Sequence, residues 1–357
     1  MPLDLTASSL DIARTICDIP SVSGEEAPLA DLIEQALRGR DHLEVIREGN
    51  TIVARTDLGR SQRVAIAGHI DTVPINDNLP TRDIEVDGEA FLWGRGTVDM
   101  KAGVAVQLKL AAELVDPAVD ITWMWYDNEE VEAARNGLTL LAARRPDLFQ
   151  ADFAILGEPS DGEVEGGCNG TLRAVVRTSG VRAHAARAWI GENAIHAAAP
   201  ILARLAEYRP REVSVEGLDY REGLNAVRIS GGVAGNVIPD ACEVEVNYRF
   251  APSKSAADAE AHVRNVFAGF DVEITDASDG ARPGLDAPIA QQFVAAVGAV
   301  PRPKYGWTDV ARFSAMGIPA VNYGPGDPHL AHHDEERVAV AQIESTERGL
   351  RSWLRGA

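Results

Sequence analysis

Histidine, aspartate and glutamate recur in five short segments of this chain, each in a setting where a side chain could bind a divalent cation. The segments are GHIDTVP around His69 and Asp71, GRGTVDMKAG around Asp99, YDNEEV around Glu129 and Glu130, LGEPS around Glu158, and LAHHDEERV around His332. Imidazole nitrogen and carboxylate oxygen suit zinc and its first-row neighbours. Two histidines and three carboxylates are enough for two cations that share Asp99. The chemistry such a pair supports is metal-assisted hydrolysis, here of an amide.

Each segment also has a plainer reading. His69 and Asp71 are alternate residues of an extended stretch, so Asp71 need not touch a metal; it can fix the His69 tautomer instead, and an H-x-D pair after a strand is often structural. Asp99 follows Gly94 and Gly96, whose freedom allows a tight turn that presents both carboxylate oxygens. It could equally cap the helix-like stretch behind it. A nucleotide loop fits poorly, because an acid stands where the third glycine belongs. Glu129 and Glu130 are neighbours whose side chains diverge, so one can bind metal while the other faces the nucleophilic water as a general base. Asp127, Glu129, Glu130 and Glu132 could also form a solvated acidic turn. Glu158 precedes Pro159, which fixes the turn. His332 has His333 beside it. The five segments taken together carry the reading.

The elements that must position these residues are legible as patterns. Leu10 to Cys17 and Ala27 to Leu37 have helical spacing. The short apolar runs RVAIA (63–67), ITWMWY (121–126) and FAIL (153–156) are expected to be buried strands of a mostly parallel sheet, and each leads into a proposed ligand. Sites of open α/β sheets lie beyond the carboxyl ends of their strands. From about Thr171 the texture changes: TLRAVVRTSG reads as a strand, ENAIHAAAPILARLAEY as one helix, NAVRISGG and ACEVEVNYRF as strands. A helix capped by Ser255 with Asp258, and a short strand DVEIT, complete the set. DASDGARPGLDAP reads as a linker. The expectation is an α/β catalytic domain with a mostly parallel mixed sheet flanked by helices, residues 1–171 and 282–357. An inserted α+β domain, 172–281, interrupts it. A closing helix is expected over about 340–354.

Composition bounds the setting. The chain has 357 residues, 45% of them apolar and 25% charged, with a net charge of −20. That charge argues against nucleic acid or an anionic membrane as partner. Cys17, Cys168 and Cys242 are odd in number and far apart, which favours a reducing compartment. The N-terminal segment is too polar for a signal peptide, and no run reaches the roughly 18 apolar residues of a membrane span. A cytoplasmic protein is expected.

From SVSGEE to AHHDEERV the segments resemble, nearly end to end, the zinc aminoacylase and carboxypeptidase G-like family of co-catalytic amidohydrolases. The phrases GCNGTLRA, VRAHAARAW, YREGLN, GNVIPD, NYRFAP and GWTDVARFSAMGIPA are similar to its actinobacterial desuccinylase branch. The resemblance implies two zinc ions (or cobalt or manganese), one held by His69, Asp99 and Glu158, the other by Glu130, Asp99 and His332. His332 is preferred to His333 because the family's H-x-x-[DN]-E pattern then falls on Glu335 and Glu336. Glu129 matches the general base and Asp71 the partner of His69. His184 matches an oxyanion-stabilising histidine supplied by the smaller domain of a second subunit, and Asn236 and Arg249 match positions that hold substrate carboxylates. A homodimer built through the inserted (lid) domain is implied, with a cis peptide after Asp99. The implied activity releases succinate from N-succinyl-LL-2,6-diaminopimelate. Relatives that deacetylate acetylornithine or cleave acylamino acids and dipeptides share these ligands, so the ligands do not choose among them. A non-catalytic scaffold would need neither Glu129 nor His184.

Overall fold

Uninterrupted apolar runs become the centre of the larger sheet. In the computed structural model, which describes residues 2–356, strands Arg63–His69, Asp120–Tyr126, Phe153–Leu156 and Ala320–Asn322 are almost wholly buried. They pair in parallel, in the order Asp120–Tyr126, Arg63–His69, Phe153–Leu156, Ala320–Asn322. Burial on both faces is what a parallel strand covered by helices requires. An antiparallel hairpin, Glu44–Glu48 with Thr51–Arg55, extends one side of the sheet. Helices Ser9–Cys17, Ala27–Arg38, Lys101–Glu113 and Val340–Leu354 supply apolar residues to the same core.

The helix Lys101–Glu113 lies very close to the sheet. A methyl group at Gly103 would stand 2.2 Å from the Gly157 carbonyl oxygen, and one at Gly157 would stand 2.5 Å from Gln107 Nε2. Only the absence of both side chains lets this helix, which begins just after Asp99, pack against the residue preceding Glu158. Sequence spacing had left open an N-cap role for Asp99. The cap position belongs to Met100, and no side chain caps that helix.

A three-stranded sheet absent from the sequence reading brings distant segments together. Arg82–Val86 and Glu89–Trp93 form a hairpin around Asp87 and Gly88, both at positive φ, and Arg337–Ala339 adds to its edge. This pairing lays the loop after Trp93, which carries Asp99, beside the segment that carries His332.

The chain divides into two compact units. The larger comprises Met1–Gly166, Pro283–Arg302 and Arg312–Ala357; the smaller comprises Gly167–Arg282 and Pro303–Ala311. Residues 167–171, 282 and 303–311, assigned to the catalytic domain on sequence grounds, pack with the smaller unit. One link is the Asn169 N–H, which donates to the Lys304 carbonyl at 3.2 Å.

The smaller unit is a four-stranded antiparallel sheet in the order Gly223–Gly231, Ala241–Phe250, Gly170–Ser179, Asp271–Ser278. It has its own apolar core, closed by helix Ala256–Val266 with the expected capping box at Ser255 and Asp258. The stretch read as one helix is two, Ala194–Ala197 and Ala199–Glu207, with Pro200 in the first turn of the second. Proline cannot donate the hydrogen bond that would continue the first. The expected linker is partly structured as well: Asp276–Ser278 remain in the last strand, and Ala281 bridges to Cys168. Pairing with Gly170–Ser179 overrides the Gly- and Asp-rich composition there.

Candidate metal centre

His69 is the last residue of its strand, and Glu129, Glu130 and Glu158 follow the ends of its two neighbours. The larger unit thus gathers three of the sequence-proposed segments at one edge by strand order alone. Asp99 and His332 arrive by the three-stranded sheet. The resulting ligand atoms cluster: those of His69, Asp99 and Glu158 lie within 4.8 Å of one another, as do those of Asp99, Glu130 and His332. A third grouping, His69 with Glu129 and Glu130, meets the same limit.

Asp99 is central to this arrangement. Its Oδ1 lies 3.0 Å from His69 Nε2, and its Oδ2 lies 3.4 Å from His332 Nε2. Each oxygen therefore faces a different histidine. His332 Nε2 also lies 2.8 Å from Glu130 Oε1. The Asp99–Met100 peptide is cis, as the resemblance implies. This donor set is nitrogen and oxygen throughout, which fits a borderline divalent cation such as zinc.

The electrostatics express the same crowding. Burial raises the pKa of Asp99, yet the two histidines outweigh it and hold the carboxyl well below its ordinary range. Hydrogen bonding to Asp99, then to Glu130, raises His332 to about 10. Burial works against charge on His69, but the Asp71 and Asp99 carboxylates prevail and hold its pKa well above the usual value. Both imidazoles are thus surrounded by anionic oxygen that attracts positive charge. A divalent cation would meet that demand in place of the protons.

Asp71 does more than the sequence suggested. His69 Nδ1 lies 3.0 Å from the Asp71 carbonyl oxygen and 3.5 Å from its carboxylate. The same carboxylate accepts the Glu129 N–H at 3.0 Å, the Glu130 N–H at 3.2 Å and the Ser23 hydroxyl at 2.7 Å. Asp71 is fully buried. One carboxylate thus anchors both the first histidine and the turn carrying the paired glutamates. Asn128, at φ 56°, turns the chain into that geometry. The left-handed region is one that asparagine tolerates better than most residues.

Two further acids went unrecognised as part of the site. Glu336 is buried; its Oε1 accepts the Val98 and Asp99 N–H groups at 2.9 and 3.1 Å, and its Oε2 accepts Arg95 Nη1 at 2.8 Å. Glu26, fully buried, accepts the Gly24 N–H at 2.7 Å and the Asn128 N–H at 3.2 Å. The signals were present in the H-x-x-[DN]-E pattern and in SVSGEE, but neither acid has a spacing that reveals what it holds.

The remaining sequence-proposed residues belong to the smaller unit. His184 is exposed in the two-residue strand Ala183–His184, which pairs with Val237–Ile238, so His184 and Asn236 are brought close. The Ala185 N–H donates to the Asn236 carbonyl at 2.8 Å, and His184 Nδ1 accepts the Ala186 N–H at 3.0 Å. Arg249 is half-buried on the central strand Ala241–Phe250, opposite Thr171.

Residues 65–355 match the model of peptidase family M20/M25/M40. A Mycobacterium tuberculosis protein provisionally named as a succinyl-diaminopimelate desuccinylase is 54% identical, with 99% of this chain and 100% of that one aligned. The succinyl-diaminopimelate desuccinylase of Corynebacterium glutamicum is 45% identical over 99% of this chain and 97% of its own. Among solved structures, a tripeptidase from Staphylococcus aureus superposes with a TM-score of 0.78 at 20% identity, covering 99% of both chains. That last likeness is one of fold.

Proposed function

The chain belongs to peptidase family M20/M25/M40 and is a metal-dependent hydrolase; we propose that it cleaves N-succinyl-LL-2,6-diaminopimelate to succinate and LL-diaminopimelate. One observation carries the chemistry: Asp99 turns its two oxygens toward two different histidines inside a ring of further acids. The substrate rests on full-length likeness to named desuccinylases.

His69, Asp99 and Glu158 would hold one cation, and Glu130, Asp99 and His332 the other, with zinc, cobalt or manganese suited to the donors. Bound metal supplies water of lowered pKa and polarises the amide carbonyl. Glu129 takes the proton of the attacking water and returns it to the departing amine nitrogen. Asp71 holds the Glu129 backbone in place for that transfer. His184, from the smaller unit of a second copy, would donate to the developing oxyanion. Asn236 and Arg249 would engage the substrate's carboxylates.

A homodimer through the smaller unit is supported by its edge strand Gly223–Gly231, which pairs on one side only and exposes Val227 and Ile229. Three free, buried cysteines support a cytoplasmic setting. No helix among the described residues is long and apolar enough to cross a membrane.

The test is hydrolysis of N-succinyl-LL-2,6-diaminopimelate beside N-acetylornithine, before and after chelation. The expected result is preference for the succinyl amide, loss of activity with chelator, and recovery on adding zinc or cobalt. Faster turnover of acetylornithine would reassign the substrate.

A further inference from the structure

On the sheet of the smaller unit, Leu172, Ala174 and Val176 face the core, as do Val244, Val246 and Tyr248. Alternate residues of a strand point to opposite faces, so Thr171, Arg173 and Arg177 share the outer face with Glu243, Glu245, Asn247 and Arg249. The charges at one end of that face are matched. Arg177 pairs with Glu243 at 2.8 Å and Glu273 at 2.6 Å, and Arg228 pairs with Glu245.

At the other end they are not. Arg173 lies opposite Asn247, and Arg249 lies opposite Thr171, which makes the two arginines diagonal neighbours. Among the described residues, neither forms an ion pair with a carboxylate. Arg249 Nε donates to Asn247 Oδ1 at 3.1 Å. Asn247 Nδ2 in turn donates to Thr171 Oγ1 at 3.3 Å. Asp276 stands across from Arg173 on the next strand, yet it pairs with neither arginine. Burial lowers the pKa of Arg249, and the charge of Arg173 lowers it further. Two adjacent guanidinium groups, one of them half-buried, form an arrangement that an anion would stabilise. The planar fork of arginine matches a carboxylate.

We propose that Arg173 acts with Arg249 as a carboxylate subsite, in which two guanidinium groups on neighbouring strands receive one carboxylate of the substrate. The idea rests on the desuccinylase reading and deepens it by making Arg173 a determinant of substrate choice. The carboxylate could belong to the succinyl group or to the amino-acid portion, and the experiment separates the two.

Steady-state kinetics of Arg173→Ala and Arg173→Lys, with Arg177→Ala as control, would use the N-succinyl amide and the N-acetyl amide of the same amine. Losing one charge-assisted contact is expected to raise KM about 10- to 100-fold with kcat little changed. Lysine should restore part of the loss, and Arg177→Ala should match wild type. A loss confined to the succinyl amide assigns the pair to the acyl carboxylate. An equal loss on both amides assigns it to the amino-acid carboxylate, and either result supports the subsite. An unchanged KM on both overturns it. A second readout is independent of turnover: calorimetric titration of succinate and of LL-diaminopimelate into zinc-loaded wild type and Arg173→Ala. Weaker binding of either compound to the variant supports the subsite even if the proposed reaction is absent. Unchanged binding of both overturns it.

Discussion

His69 and His184 are positioned in different ways. His69 ends a buried strand, is 1% exposed, and has both ring nitrogens engaged by Asp71 and Asp99. His184 lies exposed in a two-residue strand, with Nδ1 occupied by the N–H of Ala186. Every member of the acid and histidine cluster belongs to the larger unit, and the buried carboxylates of Asp71 and Glu336 hold the backbone at Glu129, Glu130 and Asp99. His184 is held by its short strand pairing and by the Ala186 N–H, with its ring exposed.

The strongest way to break this contrast is to remove chemistry from the rigid cluster while leaving its metal in place. Glu129→Ala should lower kcat by about 10²- to 10⁴-fold, the usual contribution of a positioned general base. Its metal content should equal that of wild type; metal loss would make Glu129 a ligand instead. Glu336→Ala tests the rigidity itself. It strands buried Arg95 and frees the Val98 and Asp99 N–H groups, so a stability loss of about 3–5 kcal/mol is expected in denaturant titration. A variant as stable as wild type would show that the loop holds itself.

Substituting His184 should act on turnover and leave the metal cluster intact. His184→Ala is expected to cost about 10²- to 10³-fold in kcat, with unchanged metal content and unchanged unfolding. Mixing this variant with Glu129→Ala should restore activity, because a hybrid dimer then contains one intact combination. Failure to recover would place His184 in the same copy or outside the reaction. The smallest effect is expected for Asp71→Asn, whose metal affinity should fall by about 10- to 100-fold, measured by competition with a chelating dye. An unaltered affinity would confine Asp71 to positioning the Glu129 turn.

The parts of the fold legible in sequence were those dominated by local pattern. ITWMWY and FAIL are apolar on both faces, so their burial in a parallel sheet followed directly, and their ends pointed to Glu129 and Glu158. The capping box at Ser255 is likewise a local signal. Long-range pairing was not legible. The hairpin around Asp87–Gly88 carries a strong turn dipeptide, but nothing local says that Arg337–Ala339 will join it and deliver His332 to Asp99. Asp71 looked like a partner of one histidine; its hold on Glu129 and Glu130 depends on a neighbouring strand 58 residues away. Glu26 and Glu336 gain meaning only from the backbone groups they meet, which spacing cannot express. The closeness of His184 and Asn236 came from pairing of two very short strands, below the length at which alternation can be read.

Metal analysis by mass spectrometry on purified wild type, Glu158→Ala and Asp99→Ala tests the shared-aspartate claim most directly. A bridged pair predicts about two equivalents of divalent metal per chain in wild type. Glu158→Ala should lose about one of them, and Asp99→Ala should lose both. If Asp99→Ala kept a full equivalent at the affinity of wild type, the two cations would not depend on a common carboxylate, and the account would be contradicted.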